Sequence, residues 1–180
     1  MLDKATEASH QSLEVDVQIR TERPADDAAI HELTRVAFEP MPFSSGTEAP
    51  IIRALRASGD LTLSLVAEDD GVIVGHIAFS PVTIDGVHAG WFGLGPISVR
   101  ADRQRQGIGK ALIARGLALL REQGAAGVAL IGNPDIYGRA GFESDGLLAY
   151  GDLDRRLVQR LVLSGPPPRG ELKFAAAFDM

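Results

Sequence analysis

Residues 95–123 read GPISVRADRQRQGIGKALIARGLALLREQ, and this stretch constrains the chain more than any other. Ile97-Ser98-Val99 has the apolar–polar–apolar pattern of a strand end. Lys110 to Gln123 is rich in Ala, Leu, Arg and Glu, which favour helix. Between them lies Gln104-Arg105-Gln106-Gly107-Ile108-Gly109, a basic loop punctuated by glycine. Glycine at a helix start lets a ligand approach the backbone closely. The unpaired N–H groups and partial positive charge of a helix N-terminus bind anions. Arg103, Arg105 and Lys110 add cationic side chains, so the stretch predicts an anion site suited to a pyrophosphate beside a strand end. Taken alone, the hexapeptide fits equally well a loop that only caps a helix.

Two familiar phosphate loops are excluded by residue. The dinucleotide fingerprint requires a third glycine where Leu112 stands, and the P-loop requires Ser or Thr after its lysine, where Ala111 stands. A net charge of −6 gives no general attraction to nucleic acid or to an anionic membrane. The chain has no cysteine, which removes disulfides, thiolate ligands and transfer through an enzyme thiol. His10, His31, His76 and His88 show no metal-ligand spacing, so no metal is expected. No apolar run is long enough to span a bilayer, and the N-terminus lacks the core of a signal peptide. A cytoplasmic protein is the expectation.

A polar leader over residues 1–16 and a single domain over 17–180 are expected. Strands are predicted at Val17–Thr21, Leu61–Glu68, Val72–Ser80 and Phe92–Val99, with a hairpin turn at Asp69-Asp70-Gly71. Pro81 to Trp91 is expected as a polar extension with a turn at Asp85-Gly86. A helix opens at Pro24, with Ile30, Leu33, Thr34 and Ala37 on its buried face. A loop from Phe38 leads to a second helix over Thr47–Ala57. The main helix runs from Ile108 to Gln123, with Gly124 as its cap. Val128–Ile131 is a short buried strand. Leu157–Leu163 is a strand expected to pair with one starting near Phe142, and Leu172–Phe178 an edge strand.

Gln104-x-x-Gly107-x-Gly109, with Ile97-x-Val99 upstream, resembles the acetyl-CoA motif of the GNAT N-acetyltransferase superfamily. Ala101 departs from a proline common there. Tyr137-Gly138-Arg139-Ala140-Gly141-Phe142 matches a second stretch of that family, Tyr-x-x-x-Gly-Phe. The resemblance runs from about Val17 to Leu163. It implies an α/β (α+β) fold with a mixed, mostly antiparallel central sheet flanked by helices and splayed between its fourth and fifth strands. It further implies acetyl-CoA as cosubstrate and a primary amine, on a small molecule or a protein, as acceptor. Family members often pair through C-terminal strands, so a homodimer is implied too.

The resemblance assigns the pantetheine arm to Ile97, Ser98 and Val99, with main-chain N–H there, Val99 included, polarising the acetyl carbonyl. It assigns the pyrophosphate to Gln104, Arg105, Gln106, Gly107, Ile108, Gly109 and Lys110, and a further contact to Asn133. Tyr137 is the candidate general acid, because a phenol with a pKa near ~10 is protonated at neutral pH; the alternative is packing on coenzyme or core. Candidate bases are Glu39, Glu48 and Glu68, acting through water, with Glu68 at a strand end. His76 has a suitable intrinsic pKa, although a lone strand histidine is more often structural. Phe38, Phe43 and Trp91 are candidate pocket walls. A non-catalytic acyl-CoA-binding module of the same fold, and a longer donor such as succinyl-CoA or malonyl-CoA, stay open.

Overall fold

The computed structural model describes residues 16–180, so the predicted leader lies, but for Asp16, outside the described residues. Strand β1 is Gln18–Thr21. A 3-10 turn, Pro24–Asp26, leads into helix α1 at Asp27–Phe38, three residues later than expected. Arg20 anchors that entry: its guanidinium donates to Asp26 at 2.7 Å and to Glu68 at 2.6 Å. In α1, Ile30 and Thr34 are buried, while Leu33 and Ala37 are half-buried and line a groove with Ile73 and Arg100. Helix α2 is Glu48–Ser58.

Strands β2 (Leu63–Asp69), β3 (Val72–Pro81), β4 (Thr83–Ile84) and β5 (Trp91–Val99) follow. Helix α3 (Ile108–Glu122) crosses to β6 (Gly127–Ile131), then helix α4 (Pro134–Tyr137), β7 (Leu148–Ala149), β8 (Val158–Val162) and β9 (Gly170–Lys173). The main sheet has the order β1-β2-β3-β5-β6-β8. It is antiparallel except at β5–β6, where the α3 crossover makes the pair parallel. Alternation along the strands aims Leu65, Ile77, Phe79, Val128 and Leu130 at one face, where Ile108, Leu112 and Leu120 of α3 complete the main core. Ile30 and Ile52 of α1 and α2 cover Val66 on the other face.

The tail differs from expectation. β8 pairs with β6, and the segment after Phe142 meets it in main-chain pairing at the isolated Glu143–Arg160 bridge, beside an Arg160–Asp145 ion pair at 2.6 Å. Leu172–Phe178 is not an edge strand. β9 ends at Lys173 and is the centre of a second sheet, β4-β9-β7, and a 3-10 turn over Ala176–Asp179 follows. Asp85 sets that register: its carboxylate accepts from Glu171 N–H at 2.8 Å, and its own N–H donates to the Glu171 carbonyl at 2.9 Å. This sheet closes a second core of Val82, Trp91, Ala129, Leu148, Val158 and Leu172.

Candidate active site

The functional geometry begins where β5 and β6 part. They pair only at Trp91–Gly93 against Gly127–Ala129. Beyond Gly93, β6 stays paired with β8, while β5 keeps only β3 as a neighbour. Between the pairs Phe79–Leu94 and Ile77–Ile97, β5 carries one more residue than β3, a bulge at Gly95-Pro96. Bulges bend a strand and re-aim it. The fork lies between the fourth and fifth strands of the main sheet.

The free edge of β5 has a defined polarity. Arg100 N–H donates to the Val74 carbonyl at 2.9 Å, so by antiparallel alternation Val99 and Ile97 direct their main-chain groups away from β3, into the fork. The Val99 carbonyl there accepts from Gln104 Nε2 at 3.2 Å, so Gln104 serves the strand end. Ser98 points its side chain to the face away from α3, is buried, and has no partner for Oγ.

At the mouth of the fork the loop folds back on itself. Arg103 binds Asp69 at 2.6 Å and Gln106 Oε1 at 3.0 Å, and Gln106 Nε2 reaches the Asp102 carbonyl at 3.4 Å. Gly107 takes φ +86° at the start of α3, a conformation that disfavours any residue with a Cβ. No side chain caps this end, and its first turn holds no acidic residue. The first main-chain bond is Ala111 N–H to the Gly107 carbonyl, which leaves the N–H groups of Ile108, Gly109 and Lys110 without helical partners. Among the described residues Arg105 and Lys110 form no ion pair, and both are exposed. The donor set therefore fits a polyphosphate.

Across the fork, Asn133 caps α4 by accepting from Asp135 N–H at 2.9 Å. Tyr137 ends α4. Its ring lies over Gly132, where a Cβ would stand 2.6 Å from Cε2, and meets Phe142 edge-on at 6.3 Å. Burial pushes its hydroxyl above the ordinary tyrosine value, and the hydroxyl has no hydrogen-bond partner among the described residues. Gln159 supports this turn: fully buried on β8, it donates Nε2 to the Gly132 carbonyl at 2.9 Å, and its Oε1 has no partner. Sequence patterning does not single out Gln159: it and Arg160 are the two polar residues of Val158–Val162, and the register places Gln159 opposite Leu130.

The expected bases do not gather at the fork. Glu68 sits on β2, separated from β5 by β3, with its carboxylate on Arg20. His76 is completely buried; its Nε2 lies 2.8 Å from Ser64 Oγ, and burial, aided by the Arg56 charge, lowers its pKa to about 3. It is a neutral structural residue. Glu39 is exposed beside Arg35, and Glu48 accepts from Ser44 Oγ at 2.9 Å. Trp91, 4% exposed, belongs to the second core; Phe38 is half-buried, and Phe43 stands 75% exposed between α1 and α2.

A forked sheet whose free strand edge leads to an uncapped, glycine-opened helix defines an acyl-coenzyme-binding transferase fold, and the comparisons agree. The profile of the acetyltransferase (GNAT) family matches residues 28–142, and the chain belongs to that family. It is 42% identical over 136 residues to YhbS of Escherichia coli K12, named an uncharacterized N-acetyltransferase, spanning 75% of this chain and 77% of YhbS. A GNAT family acetyltransferase from Brucella melitensis, solved with acetyl-CoA, superposes with a TM-score of 0.82 at 47% identity, covering 91% of this chain and 98% of that one. The YhbS structure from E. coli, solved with CoA, gives 0.85 at 34% identity, covering 92% and 93%. The protein is an acetyl-CoA-dependent N-acetyltransferase by family. Among the described residues no helix is long and apolar enough to cross a membrane.

Proposed function

We propose that the fork is the catalytic centre, moving an acetyl group directly from acetyl-CoA to a primary amine. The observation that carries this reading is the continuity of unpaired donors, from Ile97 and Val99 on the β5 edge to Ile108–Lys110 at the start of α3. The N–H groups of the α3 first turn, with Arg105 and Lys110, hold the pyrophosphate. The Ile97 and Val99 edge accepts the pantetheine arm as an added strand. Acetyl-CoA supplies an activated carbonyl on a sulfur leaving group. Val99 N–H holds the carbonyl oxygen as charge develops on it. Tyr137, protonated at neutral pH, gives its proton to the departing sulfur, and the proton that the attacking nitrogen sheds as the amide forms passes through solvent to restore the hydroxyl. The ammonium form of the amine must first lose a proton, and with Glu68 and His76 committed elsewhere that proton leaves to water.

The test is calorimetric titration with acetyl-CoA of the wild type and of Gly107→Glu. Saturable binding that the variant loses is the expected result. No binding of acetyl-CoA by folded wild-type protein overturns the coenzyme assignment. Thiol release from acetyl-CoA across a panel of primary amines then identifies the acceptor.

A further inference from the structure

Two buried polar groups face each other beneath the free edge of β5. His76 on β3 and Ser98 on β5 are opposite in the register, with Val66 of β2 on the far side of His76. This row lies on the sheet face covered by α1 and α2, since Val66 packs there against Ile30 and Ile52. His76 Nε2 already meets Ser64 Oγ at 2.8 Å. His76 Nδ1 and Ser98 Oγ are both buried, and neither has a hydrogen-bond partner among the described residues. Directly opposed residues hold their Cβ atoms about 5 Å apart. A serine hydroxyl turns about one bond among staggered positions, and rotation toward β3 closes most of that gap. A buried polar atom left alone has lost its bonds to water without return, and one bond between these two removes both deficits.

The main chain connects this pair to the reaction. Ile97 and Val99 direct their main-chain groups into the fork, so by alternation Ser98 directs its own N–H and carbonyl to β3. Ser98 therefore acts on the fork through its neighbour. Val99 N–H belongs to the planar peptide unit that Ser98 begins, so the setting of Ser98 aims that donor. Past Gly93 the strand keeps β3 as its neighbour and is bent by the bulge at Gly95-Pro96. We propose that Ser98 is a positioning residue for the acetyl carbonyl: His76 bridges Ser64 and Ser98, and the bridge pins the Ser98–Val99 peptide. A neutral imidazole offers one donor and one acceptor, and a hydroxyl serves as either, so both tautomers complete the bridge. This inference rests on the reading of the fork in which acetyl-CoA binds there and Val99 N–H holds the carbonyl oxygen.

The test compares Ser98→Ala, Ser98→Thr and Ser64→Ala with wild type. Thiol release with an amine that the wild type uses gives kcat and KM for acetyl-CoA. Nitrogen NMR of protein labelled in its imidazoles reads the His76 ring. Removing an oxyanion donor outright costs about 10²–10³ in kcat, so Ser98→Ala, which only loosens one, should lower kcat about tenfold with KM for acetyl-CoA little changed. The same variant should shift the His76 Nδ1 resonance. Ser98→Thr keeps the hydroxyl and should restore kcat. Ser64→Ala, two strands from the fork, should also lower kcat, because it frees the other end of the ring. Unchanged kcat in folded Ser98→Ala overturns the proposal, whether or not the resonance moves. Equal loss in folded Ser98→Thr overturns it by making volume, not the hydroxyl, the cause. A rise confined to KM for acetyl-CoA overturns it too, placing Ser98 on the coenzyme arm. Failure of the wild type to bind acetyl-CoA removes the coenzyme reading instead, while the His76 resonances still report the bridge.

Discussion

Gln159 Nε2 donates to the Gly132 carbonyl at 2.9 Å, and through that bond β8 holds the turn on which Tyr137 rides. The Tyr137 ring rests on the same Gly132, so amide and ring grip one residue. Replacing Gln159 by Leu removes the donor in a part-buried site, leaving the carbonyl without a protein partner. The expected cost is about 1–3 kcal/mol of stability. Because the turn carries the proposed general acid and not the proposed pyrophosphate loop, kcat should fall about tenfold, while KM for acetyl-CoA changes little. Steady-state thiol release, with denaturant unfolding alongside, measures both.

Tyr137→Phe keeps the ring on Gly132 and removes only the proton. General acid catalysis is typically worth 10²–10⁴-fold, so kcat should drop by about 10²-fold with acetyl-CoA affinity unchanged. Burial raises the Tyr137 pKa, so the hydroxyl stays protonated while the acceptor amine gains its neutral form. In wild type, kcat/KM should therefore climb with pH and begin to fall only above about 10, the ordinary tyrosine value. That alkaline fall should be missing in the variant; its persistence there would assign the proton to another group.

Glu68→Gln should leave kcat within about twofold of wild type, because the carboxylate is spent on Arg20 and not on substrate. Stability should drop by about 1–2 kcal/mol, the worth of a charged hydrogen bond in a partly buried network that Asp26 still half-satisfies. A large loss of kcat in a folded variant would return Glu68 to the catalytic cleft.

His76 titrates far below its unfolded value, held neutral by burial. The unfolded chain takes up a proton below about 6.5, and the native state does so only near 3, so stability is present at neutral pH and is lost as pH falls through that window. Between pH 7 and pH 5 this amounts to about 2 kcal/mol, at ~1.4 kcal/mol per pKa unit. Urea unfolding at the two pH values should show that difference in wild type and a smaller one in His76→Gln.

The parts of the site readable from sequence are those whose chemistry is local. Gly107 is demanded by a φ of +86° at the very start of α3, and the N–H groups beside it belong to consecutive residues, so one hexapeptide describes the site. The stretch Tyr137 to Phe142 is similarly self-contained, ring against ring within six residues. What escaped depends on partners far along the chain. Glu68 reads as a free carboxylate until Arg20, on the neighbouring strand, is placed beside it. The second sheet is built from two-residue strands joined by β9 and the side chain of Asp85, too short for any periodic signal. In Val158-Gln159-Arg160-Leu161-Val162, alternation puts either the Gln or the Arg inward, and only the register with Leu130 decides.

The three residue pairs joining β5 to β6 carry a thermodynamic consequence. They are the main sheet's own seam between the strands β1-β2-β3-β5 and the β6–β8 pair, beside the Ala126 N–H bond to the Gly90 carbonyl, while β4–β9 pairing ties the same two parts through the second sheet. A molecule bonded along the open edges lengthens that seam, so occupancy and cohesion of the two pieces become one equilibrium. By mass action, acetyl-CoA at a hundred times its dissociation constant adds about 2.7 kcal/mol to stability. The gain falls on the β6–β8 pair that holds the Tyr137 turn, so saturating the protein with its acyl donor also braces the proposed general acid.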